Sequence, residues 1–273
     1  MITWQLWRGL RFPPTAHPLF QRAVKTINQV SPPWYILFVF IITAPILVIP
    51  GLALAGTAYS LLWTTSIASN ISREKDTRRY DQYALLPDGE FGANWILATA
   101  CLHRNTAFIA VLSPGMWMIR AITLFMILSS GFTAYLDART PNDLLRAGLT
   151  FCACMLVLLA DNYQSIVSGT LIGMLVPSTL RDRFSAGALA FSGQAGLLMS
   201  LYLVLLGGVA LLVPSPEQAT KNPLTYAAIL TSIVTLFILV REGVNYGLWR
   251  TVRYVFKTNL SNERLCWTGL PPP

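Results

Sequence analysis

Long apolar blocks separated by short polar breaks dominate the pattern of this chain. Residues 34–48 and 52–71 are apolar runs joined by Pro50-Gly51, which predicts a tight helical hairpin. Residues 107–136 make a third run, interrupted by Ser113-Pro114-Gly115 and read as one kinked crossing, mainly over 117–136. Residues 144–176, 186–213 and 224–246 complete the set. A helix needs about 20 mostly apolar residues to cross a hydrocarbon core roughly 30 Å thick. The pattern therefore predicts an all-α, polytopic membrane protein with about six transmembrane helices.

The polar segments have a helical period of their own. Across residues 17–30, Leu19, Phe20, Ala23, Val24, Ile27 and Val30 share one face, while Arg22, Lys25 and Gln29 fall opposite. That spacing predicts an N-terminal amphipathic helix lying on the membrane surface. Trp4 and Trp7, followed by Arg8 and Arg11, have the composition of interfacial anchors. Near the other end, Arg250, Arg253 and Lys257 lie opposite Trp249, Val252 and Phe256, which predicts a second interfacial helix.

The longest polar stretch is ISREKDTRRYDQYALLPDGEF, residues 71–91. Its charges alternate in sign, as on a solvated helix laced by pairs such as Glu74 with Arg78. Pro87 stops that helix and Asp88-Gly89 turns the chain. A second amphipathic helix is expected to start near Glu90 and run along the membrane to Arg104. The division expected is one transmembrane domain: a cytoplasmic arm (1–33), spans 1 and 2 (34–71), a cytoplasmic helix-turn-helix element (72–104), spans 3 to 6 (105–247) and a cytoplasmic tail (248–273).

Composition agrees with a membrane protein, since 54% of the residues are hydrophobic and 12% charged, against about 25% charged in ordinary soluble domains. The formal charge of +8 would suggest nucleic acid in a soluble chain, but here it follows the positive-inside rule. With both termini inside, the inner segments carry fifteen Lys and Arg and the outer loops only Arg139, Arg146 and Lys221. A multi-pass protein of the cytoplasmic membrane with no nucleic-acid partner is expected. The opening MITWQLWRGLRFPP has no continuous apolar core of a cleavable signal peptide, so the spans are expected to direct insertion.

Little of the sequence suggests catalysis. There is no GxxxxGK[ST] phosphate loop and no HExxH, and His17 and His103 both lie outside the spans. Cys101, Cys152, Cys154 and Cys266 form no CxxC pair. No metal, cofactor or enzymatic activity is expected. Arg120, Asp161 and the Arg241-Glu242 pair are the ionisable groups within the spans. Such groups usually face a cavity or a partner. Two readings stand: a translocation path or internal ion pair, such as Arg120 with Asp161, or a structural one in which Arg120 snorkels, Asp161 sits near a helix break and Arg241-Glu242 lies close to the inner interface. Gly169 and Gly173 form a GxxxG spacing, and Ser192 with Gly196 a second small-xxx-small pair, which suits close helix packing.

The element after the second span resembles that of the permease subunits of ABC transporters of the type-2 exporter kind. Those carry a charged E-R-E-R-G-T segment, a Leu-rich run and a proline. Here Glu74-Lys75-Asp76-Thr77-Arg78-Arg79, Ala84-Leu85-Leu86 and Pro87 occupy those places, and His17-Pro18-Leu19-Phe20-Gln21-Arg22 is similar to the N-P-x-F-x-R-E opening of some members. Arg78-Arg79 stands where Gly-Thr is usual, and Ala23 where an acid would follow. The resemblance implies a separate ATP-binding subunit docked under residues 72–104. Glu74, Lys75, Arg78, Arg79, Pro87 and Glu90 would be the coupling residues, and the chain would work as a homo- or heterodimer of permeases in the lipid bilayer. The alternative is a non-catalytic scaffold or accessory subunit of a larger membrane complex that keeps a permease-like fold.

Overall fold

The computed structural model describes residues 1–26, 55–77, 80, 89–104, 106–131, 141–180, 182–212 and 223–256. The expected first span, the Pro50-Gly51 turn, Arg78, Arg79, Pro87 and Cys266 lie outside the described residues. The elements are α1 (Ile2–Arg11), α2 (Pro18–Thr26), α3 (Ala55–Asp76), α4 (Gly89–Arg104), α5 (Thr106–Leu112), α6 (Pro114–Gly131), α7 (Pro141–Leu175), a short 3-10 turn (Val176–Ser178), α8 (Arg183–Leu212) and α9 (Pro223–Val255). Among the described residues all regular structure is helical.

Among the described residues three helices are long and apolar enough to cross a membrane: Leu144–Thr179, Arg183–Val204 and Leu224–Val255. Only 6%, 28% and 11% of the residues in their most apolar stretches are buried, which leaves apolar side chains there for lipid. Leu156, Leu159, Leu203, Val204, Leu236 and Leu239 are all exposed there. The 3-10 turn joins α7 to α8 through Pro177, and Asp182 caps α8 by accepting the Ser185 amide at 2.7 Å. That hydrogen bond holds the Asp182 carboxyl below its usual range.

α3 has the length of a span, at 22 residues, but not the composition. Thr57, Ser60, Thr64, Ser69, Asn70 and Ser72 are all buried on it. It avoids the cost of placing hydroxyls in lipid by sitting at the centre, with α7 and α8 along its sides. Thr57 reaches Asp161, and Gly173 of α7 abuts Ile67 and the Thr64 carbonyl, so α3 and α7 run parallel. Gly187 of α8 lies beside Ser69 and Gln194 beside Ser60, so α8 runs the opposite way. Arg241 and Asn245 of α9 meet Asp161 and the Gln164 carbonyl, which makes α9 parallel to α7. The directions of α7, α8 and α9 alternate, as successive membrane crossings must.

Gly169 and Gly173 are what permit the α3–α7 approach. A Cβ on Gly169 would meet the Thr64 hydroxyl and come within 3.1 Å of the Ser60 carbonyl, and one on Gly173 would lie 3.0 Å from Ile67 and 3.1 Å from the Thr64 carbonyl. The Ser192/Gly196 spacing has no such use: Ser192 is exposed and a Cβ on Gly196 would meet nothing within 4 Å.

The expected kink at Ser113 is a true break. Its Oγ accepts the Met116 amide at 3.2 Å, and Pro114 follows as the first residue of α6, so α5 and α6 are separate helices. Three expectations are corrected. α4 spans the anticipated residues, from a left-handed Gly89 (φ 63°) to Arg104, but has no free amphipathic face, because Phe91 through Leu102 are all buried. Large side chains occur all round it, and Phe91 packs on Trp249 at 5.8 Å and on Phe256 at 6.3 Å. α2 buries Leu19, Phe20 and Ala23 as its spacing predicts, yet the surface it covers is α4. Trp249 and Val252 belong to no separate interfacial helix, since α9 continues unbroken through them to Val255.

His103 ties α4 to α1 by donating Nε2–H to the Leu10 carbonyl at 2.7 Å, with Phe108 4.9 Å from its ring. Burial lowers its pKa, against the smaller opposing effect of that hydrogen bond. The unfolded chain then takes up the proton first as pH falls below about 6.5, so this latch loses stability on acidification through that value. Unfolding in detergent between pH 7.5 and pH 5 should show this loss, and His103→Gln should flatten it. For the helix contact, Gly173→Leu should cost about 1–3 kcal/mol in the same assay, whereas Gly196→Leu should leave the unfolding midpoint unchanged.

Candidate functional site

Three helices lose their charge-free character at one level of the bundle, and a fourth brings a buried glutamine to it. On α9, residues 224–240 carry no charge and Arg241-Glu242 follow. On α7, residues 147–160 carry none and Asp161 follows; on α6, which runs the other way, 121–131 carry none after Arg120, and α8, uncharged throughout 184–212, places Gln194 at the same level. The seventeen residues 224–240 span about 25 Å at 1.5 Å per residue, close to a hydrocarbon core. The side chains at the boundary are brought together as a buried polar layer.

At its centre Asp161, 3% exposed, pairs with Arg241, 2% exposed. Asp161 also accepts from Thr57 of α3 and from Ser165 at 3.2 Å, and Arg241 donates in addition to Ser165 Oγ and the Asp161 carbonyl. The anticipated Arg120–Asp161 pair is thus replaced. The Asp161 carboxylate is held by Arg241, while Arg120 donates to Asn162 Oδ1 at 3.2 Å and lies 4.5 Å from the Trp117 ring centroid. Arg120 does not snorkel either: it is 1% exposed, and its Nε and Nη2 have no hydrogen-bond partner among the described residues. Glu242 turns away from Arg241 and accepts the Thr3 amide at 3.1 Å.

Amides complete the layer. Gln194 Nε2 donates to Ser60, to Ser168 at 3.1 Å and to the Ser165 carbonyl, tying α8 to α3 and α7. Asn245 Nδ2 donates to Thr3 Oγ1 at 2.9 Å and to the Gln164 carbonyl, and Gln164 Nε2 to the Ile238 carbonyl. Sequence spacing could single out Arg120, Asp161, Arg241 and Glu242 as charges in apolar runs. It gave no sign of Gln194, Asn245 or the α3 hydroxyls, because uncharged polar residues are common in apolar segments.

A second cluster closes the end of the bundle beyond this layer. Lys75 Nζ bonds Glu90 Oε1 of α4 at 3.4 Å and the Pro177 carbonyl after α7 at 3.1 Å, and lies 4.7 Å over the Tyr80 ring. Tyr80 donates to the same Glu90 oxygen at 2.9 Å. Burial, reinforced by the charge of Glu90 and this hydrogen bond, pushes the Tyr80 phenol far above its usual range. Glu90 is exposed, but Glu74 is 7% exposed with Oε2 unpartnered, so it presents little surface to any docking chain.

Cys101 is buried, which pushes its thiol up to about 12 and leaves it a poor nucleophile at neutral pH. Among the described residues no three His, Cys, Asp or Glu side chains gather as metal ligands. Comparisons with models of protein families, with curated proteins and with solved structures give no match to this chain.

Removing one member of a buried ion pair leaves the other uncompensated, at about 3–5 kcal/mol, whereas an apolar pair of similar volume is often neutral. Asp161→Leu and Arg241→Met should each lower stability in detergent by that order. The double variant should regain most of the loss, and additive losses would contradict the pairing.

Proposed function

We propose that this chain is the membrane-spanning permease subunit of an ABC-type transporter, with ATP hydrolysis on a separate subunit. The observation that carries the reading is the Lys75 cluster. One side chain holds the end of α3, the start of α4 and the turn after α7, so a push on that end of the bundle is passed to the central helix and to a lipid-facing one together. Residues 72–104 act as the coupling element, with exposed Glu90 and with Arg78 and Arg79 as the charges offered to the ATPase. Two such chains, identical or related, form the pathway across the cytoplasmic membrane, and both termini face the cytoplasm.

A second reading, a scaffold subunit that keeps the fold without transport, is favoured by one specific feature. Asp161 is bonded by Arg241, Thr57 and Ser165, and a carboxylate so held is a tie between helices before it is a carrier site. Purification in mild detergent followed by mass spectrometry separates the two. The permease reading expects a stoichiometric P-loop ATPase, whose turnover falls roughly tenfold with Lys75→Glu, the equivalent of one charged hydrogen bond. Copurification with a different membrane assembly and no ATPase sinks the permease reading in favour of the scaffold.

A further inference from the structure

The outer side of α1 carries a cavity of about 160 Å³ lined by Trp4, Trp7, Arg8, Arg11 and Phe12. The inner side of the helix is fixed. Leu6, Trp7 and Leu10 are buried, Trp7 lies 4.7 Å from the Tyr163 ring and 5.8 Å from Phe108, and Thr3 and Leu10 are hydrogen-bonded to α9 and α4. The helix backbone and the Trp7 wall of the cavity are therefore set before any ligand arrives.

The outward residues are of two kinds. Trp4 and Phe12 are 58% and 57% exposed, far more than free-standing aromatic rings in water would favour. Arg8 and Arg11 are exposed, no acidic side chain among the described residues lines the cavity, and the Arg11 guanidinium stands 5.6 Å from the Phe12 ring centroid. Two cations beside apolar rings match a ligand with an anionic head and an apolar body. Arginine pairs with phosphate through two parallel N–H···O bonds, and tryptophan settles where headgroups meet acyl chains.

The position of α1 selects the source of that phosphate. α1 docks on Tyr163 and Glu242, each next to or within two residues of the Asp161–Arg241 pair, where the uncharged runs 147–160 and 224–240 end. The cavity therefore lies beside the level at which the uncharged runs of α7 and α9 give way to charge. We infer that it is a binding site for the headgroup of an anionic phospholipid, with Arg8 and Arg11 on the phosphate and Trp4 and Phe12 against the glycerol and first acyl carbons. A surface rich in anionic lipid attracts basic residues in general; a shaped site differs in holding one lipid per chain. The site stands whether or not the chain transports anything.

The test is native mass spectrometry of the full chain in detergent, titrated with phosphatidylglycerol or with phosphatidylcholine of the same acyl chains. One phosphatidylglycerol should bind per chain with at least a tenfold preference, taking about 1.4 kcal/mol per tenfold. Arg8→Ala/Arg11→Ala should abolish the preference, and Lys25→Ala/Arg250→Ala, which removes the same charge elsewhere on the exposed surface, should keep it. Because Arg8 and Arg11 are exposed, the double variant should unfold at the parent's midpoint. Equal binding of the two lipids, or an unchanged preference in Arg8→Ala/Arg11→Ala, would overturn the proposal. So would displacement of the lipid by millimolar inorganic phosphate, which would make it a free-anion site.

Discussion

The Asp161–Arg241 pair is the constraint around which the remaining structure is arranged. Neither charge is tolerable alone at the edge of a hydrocarbon core, so each fixes the other, and with it the height of α9 against α7. Thr57 and Ser165 accept the remaining demand for hydrogen bonds, which draws α3 into contact. Such a pair adds little net stability over an apolar contact. Its effect is on register: a slip of α9 by one turn, about 5.4 Å, would leave two charges buried and unpaired.

Given that register, the odd composition of α3 is explained. A helix dense in serine and threonine is poor against lipid and well suited to an interior position, where each hydroxyl can return to a carbonyl one turn back, as Thr64 does to Ser60 and Thr65 to Leu61. Gly169 and Gly173 then let α7 approach closely enough for the Thr57–Asp161 contact to form. The glycines and the ion pair act on the same interface from different ends.

The sequence made some of this legible and left the rest hidden for physical reasons. Local signals worked where a local cause operates. The start of α4 at Gly89, the break at Ser113 and the buried face of Leu19, Phe20 and Ala23 follow from turn chemistry, capping and period. Non-local choices were not readable. Asp161 has Arg120 41 residues away and Arg241 80 away in the chain, and nothing in either neighbourhood says which will reach it. The same blindness affected α2 and α4: an apolar face announces that it will be covered, and is silent on whether lipid or another helix covers it. Glu74 shows the reverse error, since its alternating charged neighbours suggest a solvated surface while the fold buries it.

These two kinds of tie have different mechanical consequences. The Asp161–Arg241 layer is deep and shared by α3, α7, α8 and α9, so it resists relative movement of those helices. The Lys75 cluster lies at the bundle's end, with Glu90 exposed and Lys75 partly so, in a medium where a charge pair is screened and weak. Motion imposed from outside would therefore break the Lys75 contacts before the buried layer, and below that threshold the three helix ends move as one body. A permease needs the second behaviour and a scaffold the first, and the ratio of the two strengths is what distinguishes them in this fold.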